Sequence, residues 1–243
     1  IQEISRDFEY RMYLMTLCIG SVLVLVALSW EAGGLDISHI QNSLFTLVSM
    51  QTGTGFAIVD YNQWPSLAQM VLFMGTFFGG CSGSTTGGIK IIRIIILAKS
   101  SILHLRKAIH PDMVQMVRLN GHVLPTKWLH MTQQFFFFYL LIFGISSVLI
   151  STTGLPIGDV LGLVTGTLGN VGLAFGSLGP TETLTILSPL AKVVCIINML
   201  LGRLELFTLL VLLHPGFWRG YFAKTGKGYG RFDGRNKNAS RLI

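Results

Sequence analysis

The sequence has little charge, since Asp, Glu, Lys and Arg together make up only 12% of its 243 residues. A soluble domain has about 25% charged residues, so the composition argues against a soluble protein. Its three cysteines, Cys18, Cys81 and Cys195, are an odd number without metal-ligand spacing, which disfavours a disulfide framework and a zinc site. The segment Gly83–Thr86 lacks the ending of a phosphate-binding loop, and no nucleophile–base pair stands out. We therefore expect a protein that is not an enzyme and has no covalently bound cofactor.

Hydrophobic residues, in contrast, make up 51% of the chain and give a mean hydropathy of +0.61. Crossing a bilayer takes about 20 apolar residues. Four stretches reach that length: 10–30, 65–109 (with an interruption), 129–150 and 183–213. Two further helical stretches, 36–51 and 156–168, are too short to cross. The sequence thus predicts an all-α membrane protein with four spans and two re-entrant helices.

The placement of the charges predicts the topology. Seven basic residues lie between positions 90 and 127 and seven more follow Pro215, whereas 31–63 and 154–182 contain none. Basic loops remain on the cytoplasmic side of a membrane, so the 90–127 connection and the 216–243 tail are predicted to be cytoplasmic. Next to a span, such a tail is explained by topology and by contact with anionic membrane lipid, and nucleic-acid binding is not expected.

An internal repeat relates the two halves of the chain. When Gly55 is set on Gly172, the same elements follow in the same order twice: span, short helix, irregular turn and long broken span. Both short helices lie between acidic stretches that face outward, so both repeats have the same orientation. This parallel arrangement favours a pore around a central axis over the inverted repeats of many secondary transporters.

The irregular turns after the short helices are candidates for an ion-selectivity filter. Backbone carbonyls can replace the water around a cation, glycine lets the backbone turn them inward, and irregular backbone at membrane depth is tolerated where it lines a cavity. The alternative is a pair of flexible outer loops. We expect Phe56 to pack behind the first turn. Potassium is predicted to contact Thr54, Gly55, Val171 and Gly172, and the whole predicted filter comprises Thr52, Gly53, Thr54, Gly55, Phe56, Gly169, Asn170, Val171, Gly172 and Leu173.

Two features lie below the predicted filter. The second span is interrupted by a segment with five glycines, more than a helix kink needs. It predicts an intramembrane gate at Gly79, Gly80, Gly83, Ser84, Gly87 and Gly88. Arg203 lies within the fourth span, where a charge costs roughly 2.5–3.5 kcal/mol on insertion, and it predicts an electrostatic barrier to cations. The alternative is an ion pair with Glu205 or a side chain that snorkels to the interface.

Two strings of the sequence resemble the Trk/Ktr/HKT superfamily of potassium transporters, most closely its bacterial TrkH-type subunits. Gly79–Lys90 is similar to the family's intramembrane loop, and Gly202–Leu210 is similar to its fourth inner helix with the pore arginine. The resemblance implies potassium uptake across the bacterial inner membrane by four M1–P–M2 repeats around a pseudo-fourfold pore. It also implies a homodimer and a cytosolic nucleotide-binding regulatory partner of the TrkA type.

By this resemblance, the chain is half of such a channel. Residues 1–110 would form the third repeat with its broken inner helix, 111–127 a cytoplasmic connection, 128–215 the fourth repeat and 216–243 the basic tail. The two repeats of an N-terminal half would be needed to close a pore.

The candidate filter departs from the family pattern in both turns. Asn170–Ala174 reads Asn-Val-Gly-Leu-Ala, where the family commonly has Asn-x-Gly-Pro-Gly, and Thr54 stands where Ala is usual. The sequence therefore leaves selectivity for potassium over sodium open. A cation-coupled secondary transporter and a non-conducting structural subunit are the alternative functions.

Overall fold

A computed structural model describes residues 7–110 and 116–204, so the predicted 216–243 tail lies outside the described residues. Seven α-helices follow one another in the described part of the chain. They are α1 (Phe8–Ala32), α2 (Ile37–Thr52), α3 (Ser66–Phe77), α4 (Ile91–Ile109), α5 (Thr126–Ser151), α6 (Ile157–Leu168) and α7 (Pro189–Arg203).

Helices α1 and α5 are long enough and apolar enough to cross a membrane. They have 25 and 26 residues, or about 38 Å at 1.5 Å per residue, and their most apolar windows have mean hydropathies of 2.2 and 2.0. Only 28% and 22% of those windows are buried. A core helix of a soluble protein would bury most of such a surface, so the exposed apolar faces fit contact with lipid.

The helices pack as two similar groups. In the first group α1, α2 and α3 contact one another, and in the second α5, α6 and α7 do the same. The groups meet through α4 against α5 and α3 against α6. Helix α2 ends because Gly53 adopts a left-handed conformation with φ of 67°, which glycine accepts without a steric cost.

The second predicted span is broken, as its glycines suggested. Helix α3 ends at Phe77 and α4 begins at Ile91. Between the two helices, the chain forms a loop whose two ends lie side by side in a narrow neck. There the Gly79 amide donates to the Ile89 carbonyl at 2.9 Å, and the Ile89 amide donates to the Phe77 carbonyl at 3.0 Å. Residues 79–88, here called the glycine loop, are therefore a closed loop and not a bend between two helices.

The fourth predicted span differs from its predicted bounds. Residues 184–186 form a 3-10 turn, and α7 begins only at Pro189, where the Ser188 hydroxyl accepts from the Ala191 amide. Serine before a first-turn proline is a strong helix start, and it explains why the helix does not begin at the predicted position 183. Helix α7 ends at Arg203, and the rest of the predicted span lies outside the described residues.

The prediction of an all-α protein misses a small hairpin in the connection that was predicted to be cytoplasmic. Strands β1 (Arg118–Leu119) and β2 (His122–Val123) pair antiparallel around Asn120 and Gly121. Both turn residues have positive φ, 47° and 82°, as a two-residue hairpin turn requires, and Asn-Gly is the preferred pair for it. The Asn-Gly dipeptide was the signal that could have predicted this hairpin, Arg118–Val123.

Two hydrophobic clusters hold the groups together, and the second irregular turn lies between them. Val171, Leu173 and Phe175 pack into the cluster formed by α1, α2 and α3. Ala174 packs into the cluster of the second group. Alternation of this kind is typical of extended backbone, so the turn after α6 is shared by both cores.

Candidate functional site

The two irregular turns have the same backbone conformation. In the first, Gly53 and Gly55 adopt left-handed φ values of 67° and 75°. In the second, Asn170 and Gly172 adopt φ values of 55° and 79°. In each turn, one residue lies between the two left-handed residues. The alignment that sets Gly55 on Gly172 also sets Gly53 on Asn170. Asparagine is among the few non-glycine residues that tolerate this conformation.

The hydrogen bonds of the two turns also match. The Ser49 carbonyl accepts from the amides of residues 54 and 55 at 3.0 and 3.4 Å. The Gly166 carbonyl, at the equivalent place in α6, accepts from the amides of residues 171 and 172 at 2.9 and 3.1 Å. Each turn is therefore folded back on the last turn of its own short helix through its amides.

The structure brings the two turns into direct contact. A Cβ atom on Gly55 would overlap the carbonyl oxygen of Val171, so the two backbones touch because this residue has no side chain. Thr54 and Gly172 are exposed next to this contact, and the Thr54 hydroxyl lies 2.6 Å from the Thr52 hydroxyl. The contact places four of the predicted filter residues at one site, with an open side.

A brace of hydrogen bonds joins the segment that follows the first turn to the second turn. The Tyr61 hydroxyl donates to the Ala174 carbonyl at 2.6 Å, and both groups are buried. The Asn62 side chain donates to the Gly176 carbonyl at 2.9 Å and accepts from the Gly176 amide at 3.1 Å. The ring of Phe175 packs edge-on against Tyr61, with ring centroids 5.4 Å apart. These contacts span more than a hundred residues of sequence, and no sequence pattern indicated them.

Two predicted filter residues lie differently from the others. The prediction that Phe56 packs behind the first turn is wrong, because its side chain is 66% exposed; its carbonyl accepts instead from the Ser49 hydroxyl at 2.7 Å. The side chain of Leu173 is buried in the first cluster, and its carbonyl lies against the Cα of Gly166.

The glycine loop packs against both turns. A Cβ on Gly87 would come within 2.5 Å of the Gly169 carbonyl oxygen, and one on Gly53 would lie 3.2 Å from the Thr86 methyl group. Within the loop, a Cβ on Gly79 would meet the Gly87 carbonyl oxygen at 2.5 Å. Gly79 and Gly87 therefore serve close packing of backbone on backbone, which a simple kink would not require.

Arg203 holds the glycine loop from the side of α7. Its guanidinium donates to the Thr85 carbonyl at 2.7 Å, and its side chain is otherwise exposed. Helix α7 also packs closely on the end of α6, because Gly202 lacks a side chain, whose Cβ would overlap the Leu168 carbonyl oxygen. The alternative partner, Glu205, lies outside the described residues. The Asn170 amide adds a second tie to α7 by donating to the Met199 carbonyl at 3.1 Å.

Sequence patterns missed one functional candidate, Glu9. It lies in the first turn of α1, where its charge resembled that of an ordinary membrane-flanking residue. The structure buries it to 7% exposure, and its carboxylate accepts from the Ser82 amide of the glycine loop at 2.6 Å. No local signal marks such a contact, because Ser82 is far away in the sequence.

Three acidic residues that were predicted to face outward have individual roles. Asp60 accepts from the Asn62 amide at 3.1 Å and so caps a 3-10 turn, and buried Asp159 accepts from the Ser177 amide and hydroxyl. Asp36 is exposed, and the hydrogen bond from Ser38 lowers the pKa of its carboxyl below the usual value. Two of these carboxylates thus shape the loops, and Asp36 remains available as an exposed negative charge.

This arrangement defines a class: a helical membrane protein in which two short helices each deliver an irregular turn to a common site. The chain belongs to the TrkH family of cation transport proteins, whose family model matches residues 15–217. Family membership confirms the predicted resemblance, and also the prediction that the chain is not an enzyme.

Individual relatives extend this match. The chain is 38% identical over 217 residues to the Trk system potassium uptake protein TrkH of Escherichia coli K12, and 32% identical over 220 residues to TrkG of the same organism. These matches cover 88% and 90% of this chain but 44% and 45% of the relatives. The crystal structure of the potassium transporter TrkH from Vibrio parahaemolyticus matches with a TM-score of 0.79 and 32% identity, over 88% of this chain and 45% of that one. The chain therefore spans less than half the length of these relatives.

Proposed function

We propose that this chain forms the third and fourth M1–P–M2 repeats of a potassium-uptake pore in a bacterial inner membrane. Helices α1 and α5 would be the outer helices, α2 and α6 the re-entrant pore helices, and the broken segments α3–α4 and α7 the inner helices. Potassium is the substrate. Its proposed ligands are backbone carbonyls at Thr54, Gly55, Val171 and Gly172, with the rest of both turns as supporting filter residues.

One observation carries this proposal: two turns with matching left-handed residues and matching hydrogen bonds touch at Gly55 and Val171. Carbonyls held in this way can replace the hydration shell of a monovalent cation without adding a net charge that would trap it. The exposed side at Thr54 and Gly172 is where the other two repeats would complete the ring. The printed names of the relatives, potassium uptake proteins, support the choice of ion.

The gate and the barrier belong to the same proposal. The glycine loop would close the pore below the filter, and Arg203, bound to Thr85, would place a positive charge in the path of cations. A cation-repelling charge at a constriction is an effective barrier in a narrow pore. The proposed assembly includes the missing N-terminal half, a second copy of the protein, membrane lipid and a cytosolic nucleotide-binding subunit of the TrkA type.

The test is transport by the full-length protein in liposomes and in a bacterial strain that cannot take up potassium. A pore predicts rescue of growth at low potassium, rubidium flux that follows the electrochemical gradient, and single-channel currents. Saturable flux coupled to protons or sodium, without such currents, would favour a secondary transporter. Absence of both growth rescue and flux from correctly inserted protein would favour a structural subunit.

A further inference from the structure

We infer that Glu9 is a positioning residue for the glycine loop and that the cytoplasmic hairpin Arg118–Val123 sets Glu9 in place. The inference rests on the proposed function of that loop as a gate. It assigns to the start of α1 a role that neither the sequence pattern nor the family resemblance indicated.

The first step is the contact between Glu9 and the loop. The carboxylate is 7% exposed and accepts from the Ser82 amide at 2.6 Å. Three residues further along the loop, Arg203 donates to the Thr85 carbonyl. The loop is thus held from two helices. The Glu9 carboxylate of α1 accepts from a loop amide, and the Arg203 guanidinium of α7 donates to a loop carbonyl. Hydrogen bonds to charged groups are about twice as strong as neutral ones, so these two bonds add to the neck and to the backbone packing in holding the loop.

The second step is the contact between the hairpin and the start of α1. The Asn120 side chain donates to the Asp7 carboxylate at 3.0 Å and accepts from the Phe8 amide at 3.2 Å. Asp7 in turn caps α1 by accepting from the Glu9 amide at 3.0 Å. Lys99 adds to the joint, because its ammonium donates to the Arg118 carbonyl at 3.0 Å and lies 4.4 Å from the centroid of the Phe8 ring.

Together these contacts form a continuous connection from a cytoplasmic hairpin to the loop. Asn120 holds the two residues that immediately precede Glu9, and Glu9 holds Ser82. Displacement of the hairpin, for example by a cytosolic protein that binds it, would move the start of α1 and weaken the hold on the loop.

The loop contains its own reporter, Cys81, which is half-buried and adjacent to Ser82. In the full-length protein with Cys18 and Cys195 replaced by alanine, and any cysteines of the other half removed, we would measure the rate at which a water-soluble maleimide labels Cys81. Because Glu9 variants also change the charge near the thiol, rates are compared for the thiolate, obtained from the pH dependence of labelling.

Four variants test the connection. Glu9→Ala removes the acceptor, while Glu9→Gln keeps an oxygen that can accept from Ser82. Asn120→Gly removes the side chain but keeps the left-handed backbone, since the φ of Asn120 is 47°. His122→Ala, on the exposed strand β2, is the matched hairpin control.

We expect Glu9→Ala to raise the labelling rate by about tenfold or more, because loss of one hydrogen bond to a charged group corresponds to a factor of roughly 10 to 150. Glu9→Gln should restore most of the protection, and His122→Ala should change nothing. Asn120→Gly should raise labelling in the parent protein but add little when Glu9 is already alanine. Parent-like labelling of folded Glu9→Ala protein would overturn the role of Glu9. Equal effects of Asn120→Gly in both backgrounds would overturn the connection.

If Glu9→Ala fails to fold, the labelling rate of Cys81 in the Asn120→Gly variant becomes the test. A rate equal to that of the parent protein would then overturn the proposal. Labelling does not depend on transport, so the two proposals fail separately. Increased labelling without rubidium flux in the parent protein would retain the role of Glu9 and reject the pore. Rubidium flux in the parent protein, with Cys81 labelling unchanged in the variants, would retain the pore and reject the role of Glu9.

Discussion

The hydroxyl of Tyr61 and the carbonyl of Ala174 form a buried hydrogen bond of 2.6 Å between the two halves of the chain. Tyr61 and Ala174 both follow the contact between the two turns along the chain, and Asn62 adds a reciprocal pair of hydrogen bonds with Gly176 beside them. Since the turns touch at Gly55 and Val171, this brace keeps the two candidate filter segments at a constant separation. In a filter, cavity size and the coordinating carbonyl dipoles act together on ion preference, so a change in this separation should alter it.

Replacement of Tyr61 by phenylalanine should therefore reduce both stability and ion preference. It leaves the buried Ala174 carbonyl without its donor, at a cost of about 1–3 kcal/mol, while the ring contact with Phe175 is kept. We expect an earlier thermal unfolding transition of the full-length protein in detergent and a lower ratio of potassium to sodium flux in liposomes. Tyr10→Phe on the exposed face of α1 is the control, and equal effects of both variants would contradict the brace.

Gly55 and Gly172 offer a matched comparison. Both have positive φ, so alanine at either position carries a backbone cost of about 1–2 kcal/mol. Only at Gly55 would the new Cβ also overlap the Val171 carbonyl oxygen; at Gly172 nothing among the described residues lies within 4 Å. Gly55→Ala should abolish or strongly alter potassium preference, with a smaller effect of Gly172→Ala, measured as relative rubidium and sodium flux. The reverse order would reject the contact between the turns.

Asn170 combines a backbone role with a side-chain role, and two substitutions separate them. Asn170→Gly keeps the left-handed conformation but loses the bond to the Met199 carbonyl. Asn170→Ala loses both, so it should be less stable than Asn170→Gly by about 1–2 kcal/mol. Thermal unfolding of the two purified variants measures the difference. Equal transition temperatures would mean that the backbone conformation at this position is not important.

Arg203→Ala should increase cation flux. The substitution removes a positive charge and releases the Thr85 carbonyl; if the barrier falls by about 1.4 kcal/mol, the flux rises about tenfold. The control is Lys192→Ala, which removes an exposed cation from the same helix at a distance from the glycine loop along the chain. Unchanged or lower rubidium flux in well-expressed Arg203→Ala protein would argue against a barrier.

Local features of this protein were predictable from local patterns. Helices α2 and α6, the turns after them and the break between Phe77 and Ile91 followed from hydrophobic length and glycine content, because backbone conformation there depends on nearby residues. The hairpin could also have been predicted from adjacent residues, because Asn120 and Gly121 form the pair that two-residue hairpin turns prefer. The burial of Glu9 was not, since its partner Ser82 comes from another part of the chain.

The sequence alone determined that this is a helical membrane protein with two similarly built halves, because the length of apolar stretches and the positions of glycine are properties of the chain. Only the tertiary structure decided that Val171 lies on Gly55, that Tyr61 holds Ala174, and that Glu9 and Arg203 hold the same loop. Each of these contacts joins residues far apart in sequence. Their energy comes from hydrogen bonds and close backbone approach, which arise only when the packed helices bring the groups together.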